Sequence, residues 1–379
     1  MSTWRFIQPV DTLSLRGNKL FGAAGDFGES GFPPRPSVLA GALRSLLLAQ
    51  AGPQIEGFAQ GQRLQDKELD RILGIPADPG NFALRGVFPA SKGSDGRVNL
   101  LLPLPADLLV FDEGRNVRPL EPQALPAGIQ AGTPGGLPQV AILRQPEAAK
   151  PEGGWLLNQA GVAAYLAGQP IQPEQLVKQS CLWAREPRVG IGLSRASRTA
   201  EDGKLFTVEH SVPRQPEHGG LAVGLAVAVD GAEDRLPPSG FLRLGGDGRA
   251  AALAAMPAPA WPSPLDIIRR TGRFKLTLTT PGLFAEGWRP TLPDGLAAQL
   301  VCAATPRFEV ISGWDLAAWA PKVAERTVPA GAVYWFEDFA GDPGKLAEWV
   351  AGGLWSHNPD QTRRAEGFNN ALLAAWPQN

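Results

Sequence analysis

Cysteine, histidine, tyrosine and methionine are all scarce in this 379-residue chain, with two, three, two and two of each. Cys181 and Cys302 are too few and too far apart for a disulfide framework or a thiolate metal site. They suit a reducing cytoplasm, as small apolar residues. His210, His218 and His357 have no evident acid–base partner in the sequence, whereas metal-independent RNA cleavage needs a positioned pair. Excess charge is missing too. With 36 Lys and Arg against 37 Asp and Glu, the net charge is −1. That argues against a free-standing, non-specific nucleic-acid binder and confines any such surface to a local patch. No apolar run reaches membrane-spanning length, and Met1–Val10 has no signal core, so a soluble, cytoplasmic protein is expected. Gly25–Ser30 (GDFGES) lacks the Gly-Lys-Ser/Thr of a phosphate loop, and no Ser-His-Asp order or metal-spaced carboxylate cluster stands out. No cofactor, metal or catalytic residue is therefore expected.

Glycine and proline are abundant instead. They supply 45 and 37 residues, far above the average of about 12% combined, and imply many turns and long loops. The length favours two domains. The segment 251–264 (AALAAMPAPAWPSP), with Pro257, Pro259, Pro262 and Pro264, reads as a semi-rigid boundary linker between domains at 1–255 and 265–379.

The stretch Arg188–His210 organises the rest. Val189, Ile191 and Leu193 alternate with Gly190 and Gly192. A second arm, Lys204–Glu209, carries Leu205, Phe206, Thr207 and Val208. Asp202-Gly203 is a turn signal. Glycines on one strand face admit another backbone. Arg188, Arg195, Arg198 and Lys204 beside them suit a sugar–phosphate chain, because guanidinium groups fork onto phosphate oxygens. An exposed basic hairpin without a ligand accounts for the same pattern.

Elsewhere, Trp4–Val10 reads as a first strand, with Trp4 and Phe6 on one face and Ile7 on the other. Arg16–Lys19 is a turn. Ser37 reads as the cap of a helix over 38–50, with Leu39, Leu43, Leu46 and Leu47 on one face, Arg44 off that stripe and Arg35 just ahead. Short helices are expected at 64–73, 158–167 and 173–179. The segment 103–154 lacks periodicity and reads as a peripheral insertion. Leu221–Val229 is a central-strand run, and Phe274–Thr280 alternates cleanly. Asp294 reads as the cap of a helix over 295–303, and Asp342-Pro343 starts another over 344–350. Strands are expected at 307–311, 332–337 and 368–375. Eleven tryptophans, Trp288, Trp314 and Trp335 among them, are read as core or interface packing.

These segments together resemble one RAMP family, the third subunit of the type III-B (Cmr) CRISPR effector complex. The resemblance rests on 188–210, on 21–47 (FGAAGDFGESGFPPRPSVLAGALRSLL), 239–250 (SGFLRLGGDGRA), 274–290 (FKLTLTTPGLFAEGWRP), 312–337 (SGWDLAAWAPKVAERTVPAGAVYWFE) and 363–376 (RRAEGFNNALLAAW), all in the family's order. It implies an α+β fold of two tandem ferredoxin-like (RRM-like) βαββαβ domains with large loop insertions. It also implies a non-catalytic subunit that grips the 5′ handle of the guide RNA. Its partners would be the large polymerase/cyclase-like subunit, the adjacent backbone RAMP subunit and, indirectly, target RNA. The candidate RNA contacts are Arg16, Lys19, Arg35, Arg44, Arg188, Gly190, Gly192, Arg195, Arg198, Lys204, Phe206, Arg363, Arg364, Gly367 and Phe368. In the last segment Asn369 stands where the family commonly has a second glycine, which leaves less room for close backbone approach. A related type III-A or III-D subunit, a repeat-cleaving CRISPR endoribonuclease and a purely structural adaptor are the alternatives.

Overall fold

A computed structural model describes residues 2–15, 27–28, 31–126, 128, 136–144, 149–214, 222–315, 318–357 and 360–377. The expected sites Arg16, Lys19 and His218 lie outside these residues.

Alternation and β-branching build two main antiparallel sheets. The first comprises β1 (Thr3–Pro9), β2 (Ala83–Lys92), β3 (Val98–Leu100), and, after a hairpin arm of β4 (Trp183–Leu193) and β5 (Ala200–Pro213), β6 (Ala222–Asp230), β7 (Ser239–Arg243) and β8 (Ala250–Ala255). Its order is β7-β8-β1-β6-β2-β3. β6 lies between β1 and β2, covered on both faces, which is why its sequence is an unbroken apolar run rather than an alternation. Ile7, Leu225, Val227 and Leu253 face α1 (Pro36–Leu48), whose Leu39, Leu43 and Leu47 are fully buried against them. Phe6, Phe88 and Ala226 face the other way, onto Tyr165 and Leu166 of α3 (Gln159–Leu166) and Ala374 near the C-terminus. Between α1 and β2, α2 (Lys67–Leu73) is capped by Asp66, whose side chain accepts from the Glu68 and Leu69 amides.

The second sheet follows α4 (Leu265–Thr271). It comprises β9 (Phe274–Leu278), β10 (Ala297–Ala304), β11 (Val333–Ala340) and, after α5 (Pro343–Ala351) and α6 (Gln361–Glu366), β12 (Ala371–Ala375), in the order β10-β11-β9-β12. Phe274, Leu276, Tyr334 and Phe336 form its core with Leu346 and Val350 of α5.

Several expectations are corrected. Residues 295–303 are not helical: Ala297–Ala304 is strand β10, paired antiparallel to β11. Its Ala/Leu/Gln content favours helix, but pairing with a partner 29 to 43 residues downstream overrides propensity. Gly295, at φ 85°, turns the chain there. Helix α1 has Arg35, not Ser37, at its cap, with no side-chain cap bond, and Pro36 in its first turn. Residues 173–175 make one 3-10 turn, and Leu176–Lys178 is a strand paired with Trp155–Leu157. The expected β-α-β-β-α-β order is half met in each sheet. No helix lies between β6 and β8 or between β9 and β10, all of whose residues are described.

The segment 103–154 is more ordered than expected. It forms one short hairpin, Leu108–Phe111 with Asn116–Pro119, and a second, Glu121–Ala124 with Gln139–Ile142. It also joins the two sheets. Asp107, 2% exposed, accepts from Lys275 Nζ on β9 at 2.7 Å and from Tyr165 Oη at 3.0 and 3.1 Å. Tyr165 Oη lies 2.9 Å from Thr277 Oγ1, and the Lys275 ammonium sits 4.1 Å from the Tyr165 ring centre. Burial, with the Asp107 charge beside it, holds the Tyr165 phenol well above its ordinary value.

Candidate nucleic-acid interface

β4 and β5 pair antiparallel from Trp183↔Pro213 to Leu193↔Ala200, an arm on the order of 35 Å long at about 3.3 Å per residue. Its base is fixed. Trp183 is buried with its ring centre 4.3 Å from that of Phe32, and Leu13 bridges to Ser211. Phe27–Gly28 adds a short parallel strand at Thr207–Val208. Beyond the base most side chains are exposed.

The turn is not at Asp202-Gly203. It lies at Ser194–Thr199, closed by Ser194 N–H to Thr199 O at 2.9 Å and Arg198 N–H to Ser194 O at 2.8 Å. Arg198 takes the left-handed position at φ 58°, and Gly203, at φ 73°, sits inside a bulge of β5 opposite Ile191–Leu193. Arg195 and Arg198 are thus both at the exposed tip.

Strand alternation divides the arm into two unlike faces. One carries Val189, Ile191, Leu193 and Leu205, each 47–70% exposed. The other carries Arg188, Gly190, Gly192, Lys204 and Phe206. The Phe206 ring lies across Gly190, and Lys204 across Gly192, where a Cβ would come within 2.9 Å of the lysine Cβ. Glycine is required at both places for these side chains to lie flat. Arg188 Nε donates to Glu186 Oε1 at 2.9 Å, and Lys204 pairs with Glu201. Both pairs are solvent-exposed and contribute little stability, so phosphate oxygens can compete for either cation.

His210 faces inward. It is 4% exposed, with Nδ1 3.1 Å from Thr12 Oγ1, and burial, aided by Arg188 and Arg249, holds its imidazole below the ordinary value. The unfolded chain therefore holds more protons than the folded one just below pH 6.5. Stability present above pH 6.5 is expected to fall as pH drops through the folded pKa, by at most about 1.4 kcal/mol per unit for this one group. Denaturant unfolding at stepped pH checks this. His210→Asn should shrink the slope between pH 7 and 5.5, and an unchanged slope would assign it to other groups.

The remaining candidates lie elsewhere. Half-buried Arg35 reaches the Val310 carbonyl at 3.4 Å, and burial lowers its pKa. Arg44 donates to Leu73 O at 2.7 Å and stacks 5.7 Å over Phe82, which makes it a brace between α1 and α2. Arg363, expected as an RNA contact, is instead a buried ion. It is 3% exposed, held by Glu325 at 2.6 and 3.0 Å and by Glu366 at 3.0 Å. Arg364 is half-buried, its pKa lowered by burial and by Arg85. Gly367 and Phe368, expected as RNA contacts, are also corrected. Gly367, at φ 88°, presses on Leu84, and Phe368 is fully buried. Asn369 takes the left-handed turn at φ 58° and is held at both ends by Leu283, while Asn370 donates to Leu84 O at 3.2 Å. The segment thus locks the second sheet to the first instead of opening to solvent.

An open cleft of about 440 Å³ lies between the second hairpin of 103–154 and β10, lined by Ala106, Leu120, Val140, Ala303 and Thr305 among others. It shares no residue with the arm. Among the described residues no cluster of three or more His, Cys, Asp or Glu is gathered for a metal, and no helix is long and apolar enough to cross a membrane. Sequence reasoning missed the Asp107–Tyr165–Thr277–Lys275 network, whose members come from distant segments with no shared motif.

Fold and arm together define a mixed α/β protein of antiparallel sheets from which a long, basic-tipped hairpin projects. The chain belongs to the family described as CRISPR-associated protein (Cas_Cmr3), which matches residues 5–376. The resemblance to a type III-B (Cmr) subunit therefore holds across nearly the whole sequence. Two solved structures are similar in fold. One is a chain of the type III-B Cmr-beta bound to cognate target RNA and AMPPnP, 13% identical, with a TM-score of 0.50 over 95% of this chain and 91% of that one. The other is a chain of Cmr-beta bound to cognate target RNA, 14% identical, with a TM-score of 0.50 over 97% and 96%. No curated protein matches.

Proposed function

We propose that this chain is a non-catalytic RNA-binding subunit of a type III-B CRISPR effector complex. It holds the 5′ handle of the guide RNA and joins the large polymerase/cyclase-like subunit to the adjacent backbone RAMP subunit, in the cytoplasm. The carrying observation is the arm. A buried base anchors an exposed ribbon with Arg195 and Arg198 at its tip and Arg188, Phe206 and Lys204 on one face. Cations there can neutralise phosphates, and because the Phe206 ring and the Lys204 chain cover Gly190 and Gly192, those two side chains make the contact surface in place of the bare backbone expected from the sequence. Cmr-beta structures similar in fold were solved with target RNA, which supports the same setting for this chain.

The fold reading extends in the same direction. Numbered within each half, the strand order is 4-1-3-2 in both sheets: β8-β1-β6-β2 in the first, flanked by β7 and β3, and β12-β9-β11-β10 in the second. That order supports two tandem ferredoxin-like units, each of which has exchanged one crossover helix for a loop or a strand.

A catalytic role is the competing reading. The inward position of His210 weighs against it, since a general acid or base must reach the scissile phosphate. Purified protein incubated with repeat RNA, with and without Mg²⁺, is expected to leave the RNA intact. Cleavage abolished by His210→Ala or His357→Ala would overturn the non-catalytic assignment.

A further inference from the structure

A second ribbon, between β10 and β11, has a different surface. Glu309–Ile311 pairs with Glu325–Thr327, and nearer the tip Trp314–Asp315 pairs with Ala320–Pro321. Trp314 and Trp319 are 50% and 74% exposed, with ring centres 5.8 Å apart and planes at 84°. Trp319 sits at φ 47°, a conformation that bulky side chains rarely adopt. Towards the base, Phe308 is 50% exposed with the Arg326 guanidinium 5.0 Å from its ring centre, and exposed Arg307 precedes it. Among the described residues neither Arg307 nor Arg326 has an ion-pair partner.

The first arm exposes aliphatic side chains; this ribbon exposes planar ones. Two indoles at right angles leave ring faces open to solvent, and a strained backbone holds one of them there. Planar faces with unneutralised guanidinium groups further along the same ribbon match a chain of flat bases joined by phosphates. Stacking takes any base, because every base has a π-face, and arginine adds a cation–π contribution. We propose that this ribbon is a second RNA contact, at which unpaired nucleobases stack on Trp314 and Trp319 while Arg307 and Arg326, nearer the base, meet phosphates further along the same strand. The site rests on the reading of the chain as an RNA-binding subunit and adds to it a preference for single-stranded over paired RNA.

The test titrates the full chain with a single-stranded oligoribonucleotide containing 2-aminopurine, read by fluorescence and repeated at several salt concentrations. Trp314→Ala and Trp319→Ala are each expected to weaken binding roughly tenfold and to remove the quenching on stacking. The slope of log affinity on log salt should stay unchanged, because an indole releases no counterions. Trp319→Phe should recover most of the affinity. A duplex of the same composition should bind the parent and the tryptophan variants equally. If the alanine variants bind and quench like the parent while Arg195→Ala/Arg198→Ala weakens binding, the ribbon is not an RNA contact and the inference falls alone. If neither set changes binding, the RNA-binding reading falls with it. If the tryptophan variants bind RNA normally but fail to enter the assembled complex, the surface is a protein contact, which also overturns the inference.

Discussion

Replacing Asp107 with alanine is expected to cost about 3 kcal/mol of unfolding free energy, at the lower end of the range for breaking a buried ion pair. The carboxylate is 3% exposed and Lys275 13%, so removal strands an ammonium that can only partly reach water. It also takes from the Tyr165 hydroxyl its carboxylate acceptor, leaving Thr277. The loss falls at the joint between the first sheet, α3 and β9. It should therefore appear as a lower denaturation midpoint, and as a split transition if the halves then unfold separately. Lys275→Met alone should cost a similar amount, whereas Asp107→Leu with Lys275→Met should cost much less than the sum. A buried pair replaced by apolar residues of similar volume is often near neutral, and neighbouring sites couple. Asp107→Ala with unfolding identical to the parent would show that the network does not join the two halves.

The double variant Arg195→Ala/Arg198→Ala is expected to weaken guide-RNA retention in the assembled complex and to flatten its salt dependence by about two charges' worth of slope. Both residues lie at the exposed tip, beyond every contact that anchors the arm, so thermal stability should change by less than about 0.5 kcal/mol. Arg→Lys at the same positions keeps the charge and loses the fork, and separates electrostatics from geometry. Normal retention at every salt concentration would make the arm a protein-contact element.

Much of this architecture was legible residue by residue. Phe274, Leu276 and Leu278 alternate with polar neighbours, and β9 has that register. The run Leu221–Val229 reads as a central strand, and Ala222–Asp230 is one. The hairpin arms follow from Val189, Ile191 and Leu193, but their turn does not. Asp202-Gly203 has the stronger local signal, yet the glycine serves a bulge while Arg198 supplies the left-handed turn. Pairing along the whole arm decided between them. Arg363 and Arg364 read as RNA contacts because Arg363's principal partner, Glu325, is 38 residues upstream. Gly367, just before the fully buried Phe368, likewise packs on Leu84, nearly three hundred residues away. Local chemistry marked the arm as a candidate site, and long-range packing decided which other cations were free to join it.

The most direct test places a photoactivatable 4-thiouridine at the junction between handle and guide and maps crosslinked peptides in the assembled complex. The account predicts crosslinks within residues 183–213 of this chain, lost or displaced in the Arg195→Ala/Arg198→Ala variant. Crosslinks confined to other subunits, or to surfaces of this chain away from the arm, would contradict it.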